Sequence, residues 1–176
     1  MSPILSRRRL LQAGLAAPAA LTLFPLAAQA RRLRIGITLH PYYSYVSNIV
    51  GDLADVVPLI PAGFNPHAYE PRAEDIKRIN GLDVVVLNGI GHDDFAERMI
   101  AASSKPNLPV IEANAQVPLL AAVGSSANAG RSGKDSQVVN PHTFLSVAAS
   151  IAQVNTIARE LGKLDPANAE AYRAHA

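Results

Sequence analysis

The chain has 176 residues, a length typical of one domain, with a formal net charge of +2 and no cysteine. The absence of cysteine excludes disulfide bonds, thiolate metal ligands and a lipid-modified cysteine, so a metal site must use imidazole, carboxylate, carbonyl or water ligands. The first thirty residues hold three arginines and no acid, so subtracting these from +2 leaves residues 31–176 with −1. With no excess of positive charge, residues 31–176 are not expected to bind nucleic acid or an anionic membrane surface.

The first thirty residues have the pattern of an export signal. Arg7–Arg9 precede an apolar, alanine-rich stretch, and Ala28-Gln29-Ala30 matches an A-x-A cleavage site. The alternative is a membrane-anchoring helix, but glutamine, glycine and proline interrupt the stretch. We therefore expect a twin-arginine-type signal peptide at residues 1–30 and a protein released into the periplasm without a lipid anchor. Beyond this leader, no apolar run is long enough to span a bilayer.

Strand and helix patterns alternate along the rest of the chain. Apolar, β-branched runs predict buried strands, and helical stripes or helix stop signals lie between them, such as Gly81 after a short helix. This alternation predicts an α/β fold with a parallel four-stranded sheet flanked by helices. The predicted strands are residues 33–39, 56–60, 83–88 and 109–113.

The C-terminal third begins with a predicted surface loop. Residues 123–139 are small and polar, contain glycine and show no period. A long helix follows, and Asp165-Pro166 begins another that continues to the last residue. We expect the long helix to bury one apolar face, which consists of Leu145, Ala149, Val154, Ile157 and Leu161.

Four of the five histidines follow predicted strands. His40 comes directly after the first strand, His67 lies in the loop after the second, His92 in the loop after the third, and His142 beyond the fourth. In parallel sheets, ligands bind outside the carboxyl ends of the strands. The topology therefore predicts a cluster of imidazoles at one sheet edge. His175, at the end of the chain, has no expected role.

The tripeptide Asn-Pro-His occurs twice, at residues 65–67 and 140–142. Proline fixes its own φ and restricts the residue before it, and the asparagine side chain can bond to nearby backbone and tighten the turn. A loop that is already stiff loses less affinity on binding a ligand. The repeat therefore predicts that His67 and His142 are metal ligands rather than exposed loop or helix-start residues.

His40 and His92 are more ambiguous. His40 could end its strand by bonding to backbone, although we favour it as a third ligand. His92 precedes Asp93 and Asp94, which suit a helix N-terminus, so we favour a cap or a supporting role for it. Neutral imidazole is the commonest metal ligand, and a set of His40, His67 and His142 would suit Zn²⁺.

Three segments resemble one known family. GFNPHAYEPRAEDIKRINGLDVVVLNGIGHDDF is similar to the N-terminal lobe of the zinc/manganese solute-binding proteins of bacterial ABC importers. NPHTFLS resembles the second histidine motif of that family, and LGKLDPANAEAYRAHA resembles the start of the helix that joins its two lobes. The resemblance covers residues 33–176.

The resemblance implies a fold, a cargo and a partner. Residues 31–164 would form the N-terminal α/β metal-binding lobe, and residues 165–176 the truncated start of the linking helix. Family members capture Zn²⁺ or Mn²⁺ between two lobes and deliver it to a membrane permease. His67 matches the first family ligand and His142 the second, whereas His40 lies outside the general family set.

This sequence departs from the family pattern in three places. The family chain continues into a second lobe with two further ligands, which is absent here. Residues 123–139 hold no histidine, although zinc members often carry a His-rich loop there. Phe144 replaces the usual tryptophan of the second motif, and Ser146 replaces the aspartate that follows it.

Two other classes of function remain open at this point. Three histidines and a water would suit a zinc hydrolase with Glu70 as general base, but the sequence has no H-E-x-x-H motif or nucleophile elbow. The chain could also be a truncated lobe without transport activity. A non-enzymatic metal receptor is the expected function.

Overall fold

A computed structural model of the chain describes residues 31–121 and 139–176. The predicted signal peptide at residues 1–30 and nearly all of the predicted loop at 123–139 lie outside these residues. Strands and helices alternate, as the sequence predicts. In chain order they are β1 Leu33–Ile37, α1 His40–Val50, β2 Ala54–Pro58, α2 Ala73–Ile79, β3 Val84–Leu87, α3 Asp94–Ala101, β4 Val110–Glu112, α4 Val147–Leu164 and α5 Ala169–His175.

The four strands form one parallel sheet in the order β2-β1-β3-β4, which confirms the predicted α/β fold class. β1 pairs with β2 from Leu33 opposite Ala54 to Ile37 opposite Pro58. β1 is shorter than predicted because Leu39 is already the N-cap residue of α1. All four predicted strands are present, shortened or shifted by a few residues.

The strand order creates a crevice at the carboxyl edge of the sheet. The chain passes from β1 to β2 on one side and then crosses to β3 on the other side of β1. Loops that leave β1 and β3 therefore diverge from each other, which is the arrangement that opens a ligand site in such sheets. His92 is part of the loop after β3, so it lies at the edge of the sheet where this crevice forms.

Both faces of the sheet are covered by helices. Val84 and Val86 of β3 pack into an apolar cluster with α1, α4 and α5, whereas Val85 and Leu87 pack into a second cluster with α2 and α3. Alternate residues of a strand point to opposite faces, so a strand covered on both sides must be apolar throughout. All four residues of β3 are accordingly buried.

The predicted buried face of the long helix is wrong at Leu145, which is 78% exposed. Thr143–Leu145 form a separate 3-10 turn, and α4 begins only after Ser146, whose Oγ accepts a hydrogen bond from the Ala149 amide at 3.4 Å. The helical period therefore does not extend back to Leu145. The other predicted positions do face inward: Ala149, Ile157 and Leu161 are buried, and Val154 is half-buried.

The last helix, α5, packs against α1 and α4. Tyr172 is fully buried and its hydroxyl donates to Asp165 Oδ2 at 2.7 Å. His175, for which the sequence suggests no role, places Nδ1 3.0 Å from the carbonyl oxygen of Ile49 in α1.

In the parts of the chain that the structure describes, no helix has both the length and the apolar character to cross a membrane.

Candidate metal centre

Three histidines from three loops meet at the carboxyl edge of the sheet. One ring nitrogen from each of His67, His92 and His142 lies within 4.8 Å of the other two. The Nε2 atoms of His67 and His142 are 3.3 Å apart, and the His67 and His92 rings stack with centroids 4.1 Å apart. Imidazole nitrogens that converge in this way are suited to bind a transition metal ion.

The two Asn-Pro-His motifs fold in the same way. The Oδ1 atom of Asn65 accepts a hydrogen bond from the amide of His67 at 3.0 Å, and Oδ1 of Asn140 accepts from the amide of His142 at 3.0 Å. The predicted tightening of both turns by the asparagine side chain is thus confirmed. Each turn holds the backbone of its histidine, and the two rings point to the same place.

Asn140 also orients the ring of His142. Its Oδ1 lies 3.0 Å from Nδ1 of that ring, and an amide oxygen can only accept a hydrogen bond. Nδ1 therefore carries the proton, which leaves the lone pair of Nε2 directed toward His67. Such fixing of the tautomer by a neighbouring group is characteristic of histidines that bind metals.

His92 returns to the cluster through a short glycine loop after β3. Gly89 and Gly91 have φ angles of +78° and +92°, which favour glycine. At Gly89 a Cβ atom would lie 3.0 Å from Cγ of Glu112, so the backbone also passes close to β4. His92 is 6% exposed, and its Nδ1 has no hydrogen-bond partner among the described residues. A buried ring nitrogen without a partner is available to a metal ion.

Asp93 is the N-cap residue of α3, as the sequence suggests, and its buried carboxyl group also holds the same loop. It is 2% exposed, and its Oδ2 accepts hydrogen bonds from Thr38 Oγ1 and from the Asn88 amide, both at 2.6 Å. Burial raises the pKa of the Asp93 carboxyl, while these donors oppose that rise. Asp94, the first residue of α3, does occupy the expected helix N-terminus.

The environment of His92 and His142 favours the neutral form of these two imidazoles. Burial, together with the neighbouring His67 and His142, lowers the pKa of His92 to about 4. Burial and His67 also lower the pKa of His142. At neutral pH both rings are therefore unprotonated, which is the form that binds metals.

His40 is not brought into this group, and His92 takes the third position that the sequence suggested for His40. The reason is the helix: His40 is the first residue of α1, its side chain is exposed, and its ring packs edge-on against Tyr43 with centroids 6.4 Å apart. Sequence reasoning gave His92 only a supporting role because the two aspartates after it suggested a helix cap. The preceding Gly-Ile-Gly was the signal that could have identified it.

A largely apolar cavity of about 390 Å³ borders the histidines. Its lining includes His92, Phe144, His40 and Tyr43. Tyr42, by contrast, is fully buried in the core. One member of the histidine cluster, His92, therefore borders an apolar space.

No carboxylate of the described residues joins the histidine group. Glu70, the candidate general base of a hydrolase, is exposed and is not a member of the group. Among the described residues, the group thus supplies nitrogen ligands only. It is suited to hold a metal ion.

Curated relatives of this chain are metal-binding proteins of ABC transporters. The chain is 32% identical over 130 residues to the metal ABC transporter substrate-binding lipoprotein ScbA of Streptococcus cristatus, covering 71% of this chain and 39% of ScbA. It is 28% identical over 151 residues to the manganese ABC transporter substrate-binding lipoprotein PsaA of Streptococcus mitis. This match covers 83% of this chain and 46% of PsaA. Both relatives are named as lipoproteins, whereas the sequence predicts a protein without a lipid anchor.

Solved structures share the fold. The SBP FpvC of Pseudomonas aeruginosa in complex with Mn²⁺ is 79% identical with a TM-score of 0.75, covering 82% of this chain and 51% of FpvC. FpvC in complex with Ni²⁺ is 76% identical with a TM-score of 0.73. A zinc-bound deletion mutant of ZnuA is 27% identical with a TM-score of 0.70, and the match covers 82% of this chain and 51% of the mutant. The chain thus spans about half the length of these proteins.

The chain also matches the model of a protein family. The model described as zinc-uptake complex component A, periplasmic (ZnuA) matches residues 35–176, which include the last three residues of β1, the other three strands and all three clustered histidines. The match agrees with the resemblance carried by the two Asn-Pro-His motifs. This chain therefore belongs to the ZnuA family of periplasmic zinc-uptake components.

Proposed function

We propose that the protein is a metal-binding lobe of the substrate-binding component of a metal ABC importer. It captures Zn²⁺ as cargo through His67, His92 and His142. The observation that carries this proposal is the convergence of three imidazoles, two of them with Nε2 atoms 3.3 Å apart. His92 replaces His40 in the ligand set that the sequence alone suggested.

The spacing of the nitrogens fits a zinc ion. Two ligands of a tetrahedral zinc, each at ~2.0–2.1 Å from the metal, lie about 3.4 Å from each other. The observed 3.3 Å between Nε2 of His67 and Nε2 of His142 is close to this value. One ion between them would satisfy both lone pairs with little movement of either turn.

The donor set favours zinc over manganese. Imidazole suits Zn²⁺ and Ni²⁺, whereas carboxylate and water suit Mn²⁺. The cluster contains only imidazoles among the described residues. Manganese remains the alternative cargo, and it is supported by the Mn²⁺ complex of FpvC and by the printed name of PsaA.

The same cluster supports capture of a metal rather than catalysis with it. A zinc hydrolase needs a base beside the metal-bound water, and Glu70 lies exposed outside the cluster. Three imidazoles leave one position of a tetrahedral ion open, which permits both loading and release. We therefore assign the protein a receptor role without an enzymatic step.

Export and a membrane partner complete the proposal. The twin-arginine pattern at residues 1–30 and the periplasmic description of the family support a periplasmic location. The partner is the permease of the importer, to which the metal is delivered. The absence of a lipid anchor stays a prediction from the sequence.

A zinc titration of the purified chain against a chromogenic chelator tests this function. We expect one zinc per chain for the wild type and loss of that zinc in His67→Ala and His142→Ala. His175→Ala removes a histidine that contacts Ile49 instead of the cluster, so it should bind as the wild type does. A folded wild type without zinc, or His67→Ala with undiminished binding, would refute the proposal.

A further inference from the structure

Asn88 comes directly after β3 and is fully buried. Its side-chain Nδ2 donates two hydrogen bonds, one to the Pro141 carbonyl at 3.0 Å and one to the Tyr42 hydroxyl at 2.9 Å. Pro141 is the residue before His142. One of the two amide protons of Asn88 therefore holds the second Asn-Pro-His turn, and the other attaches Asn88 to α1.

The main chain of Asn88 is held from the other side of the cluster. Its amide donates to Oδ2 of Asp93 at 2.6 Å, and Asp93 follows His92 directly. Asn88 is thus bonded to the residue after His92 and to the residue before His142. These two histidines come from loops that are distant in sequence, and this buried residue bridges them.

A second buried amide secures the other side of His142. Gln153 of α4 donates from Nε2 to Thr143 Oγ1 and to Asn114 Oδ1, both at 2.8 Å. Asn114 in turn donates to the Asn88 carbonyl at 2.9 Å. The residues on both sides of His142 are therefore tied to one polar network that centres on Asn88.

We propose that Asn88 is a positioning residue for the metal cargo, which sets the spacing between His92 and His142 through the Pro141 carbonyl and Asp93. This inference rests on the proposed metal-binding function and deepens it. Asn88 itself contacts no ligand nitrogen in the described hydrogen bonds, so it acts through the two loops. Groups that orient ligating histidines typically contribute about 10–100-fold to metal affinity.

The competing role for Asn88 is structural only. A buried amide that loses its partners destabilises any protein, whether or not it positions a ligand. Tyr172→Phe provides a matched control, because it removes the hydrogen bond of a buried residue of α5 to Asp165, and neither residue belongs to the histidine group. A structural role lowers stability in both variants and leaves metal affinity alone.

The test compares the wild-type chain, Asn88→Ala and Tyr172→Phe at a temperature where circular dichroism shows each to be folded. Zinc affinity is measured by chelator competition, and the ligand geometry by the visible absorption of bound Co²⁺. We expect Asn88→Ala to bind zinc about 10–100-fold more weakly with a shifted Co²⁺ spectrum. Tyr172→Phe should match the wild type in both readouts. If Asn88→Ala does not fold, Asn88→Ser, which keeps a hydroxyl donor, takes its place with the same expected direction.

The outcomes separate this inference from the proposed function. A folded Asn88 variant with wild-type zinc affinity and a wild-type Co²⁺ spectrum would overturn the positioning role. An equal loss of affinity in Tyr172→Phe would overturn it as well, because the effect would then be general destabilisation. A wild type that binds neither metal would instead refute the function itself.

Discussion

The Nε2 atoms of His67 and His142 lie 3.3 Å apart, although the two residues are 75 positions apart in the chain. Each follows an asparagine whose Oδ1 accepts a hydrogen bond from the histidine amide. The same local turn is thus used twice to direct an imidazole to one point. The repeated tripeptide thus places two imidazoles of the proposed metal site.

Substitution of Asn140 should reduce zinc affinity more than substitution of Asn65, because Asn140 holds the ring of His142 as well as its backbone. We expect Asn140→Ala to weaken zinc binding about 10–100-fold and Asn65→Ala to weaken it less. Asn140→Asp keeps an acceptor at the same place and should retain most of the affinity. Chelator competition measures all three variants. Equal losses of zinc affinity in the two alanine variants would show that the contact of Asn140 with the His142 ring does not contribute to zinc binding.

The stability of the metal-free protein should fall as the pH is lowered from about 6.5 to about 4. Folding lowers the pKa of His92 from 6.5 to about 4, so the unfolded chain binds more protons than the folded chain in this range. The stability that is linked to neutral His92 is fully present above pH 6.5 and is lost as the pH falls through about 4. Urea unfolding at several pH values measures it.

His92→Gln serves as the comparison for this pH dependence. It removes the titrating group, so its unfolding free energy should fall less steeply between pH 6.5 and 4 than that of the wild type. Parallel curves for the two proteins would mean that His92 is not the group responsible.

Gly89→Ala should reduce both stability and zinc affinity. The positive φ angle disfavours any side chain, and the new Cβ would meet Glu112 at 3.0 Å. We expect a destabilisation of about 1–3 kcal/mol and a displaced His92 loop. Gly51→Ala has a positive φ with open space around it and lies away from the histidines. It should cost stability without a change in zinc affinity. Wild-type zinc affinity in Gly89→Ala would contradict this view of the loop.

Leu145 and Leu161 should respond differently to substitution, although the sequence pattern placed both on one buried face. Leu145 is 78% exposed and Leu161 is fully buried. Leu145→Ala should change the unfolding free energy by less than about 0.5 kcal/mol, whereas Leu161→Ala should cost about 2–5 kcal/mol. Thermal or urea unfolding measures both. A large cost at Leu145 would show that its surface is covered in the folded protein.

Much of the architecture could be predicted from the sequence, because it depends on periodic and topological rules. Alternating strands and helices predicted the parallel sheet, and the rule for carboxyl ends predicted that histidines from different loops would share one edge. The Asn-Pro-His repeat then singled out His67 and His142, which do lie together. These inferences need only local patterns and the order of the strands.

The third member of the cluster could not be chosen in the same way. His40 and His92 both follow strands, and only the backbone decides which ring turns inward. At His40 the helix begins at once and the ring packs on Tyr43. At His92 two glycines with positive φ redirect the loop, and Asp93 anchors it from within the core. These long-range contacts are not visible as a sequence period.

The ligand set is tested most directly by zinc titration of His92→Ala beside His40→Ala. Both variants remove one histidine near the same cavity, but only His92 belongs to the cluster with His67 and His142. We predict that His92→Ala loses at least tenfold in zinc affinity and that His40→Ala binds as the wild type does. Wild-type affinity in folded His92→Ala, together with a loss in His40→Ala, would contradict the three-histidine site described above.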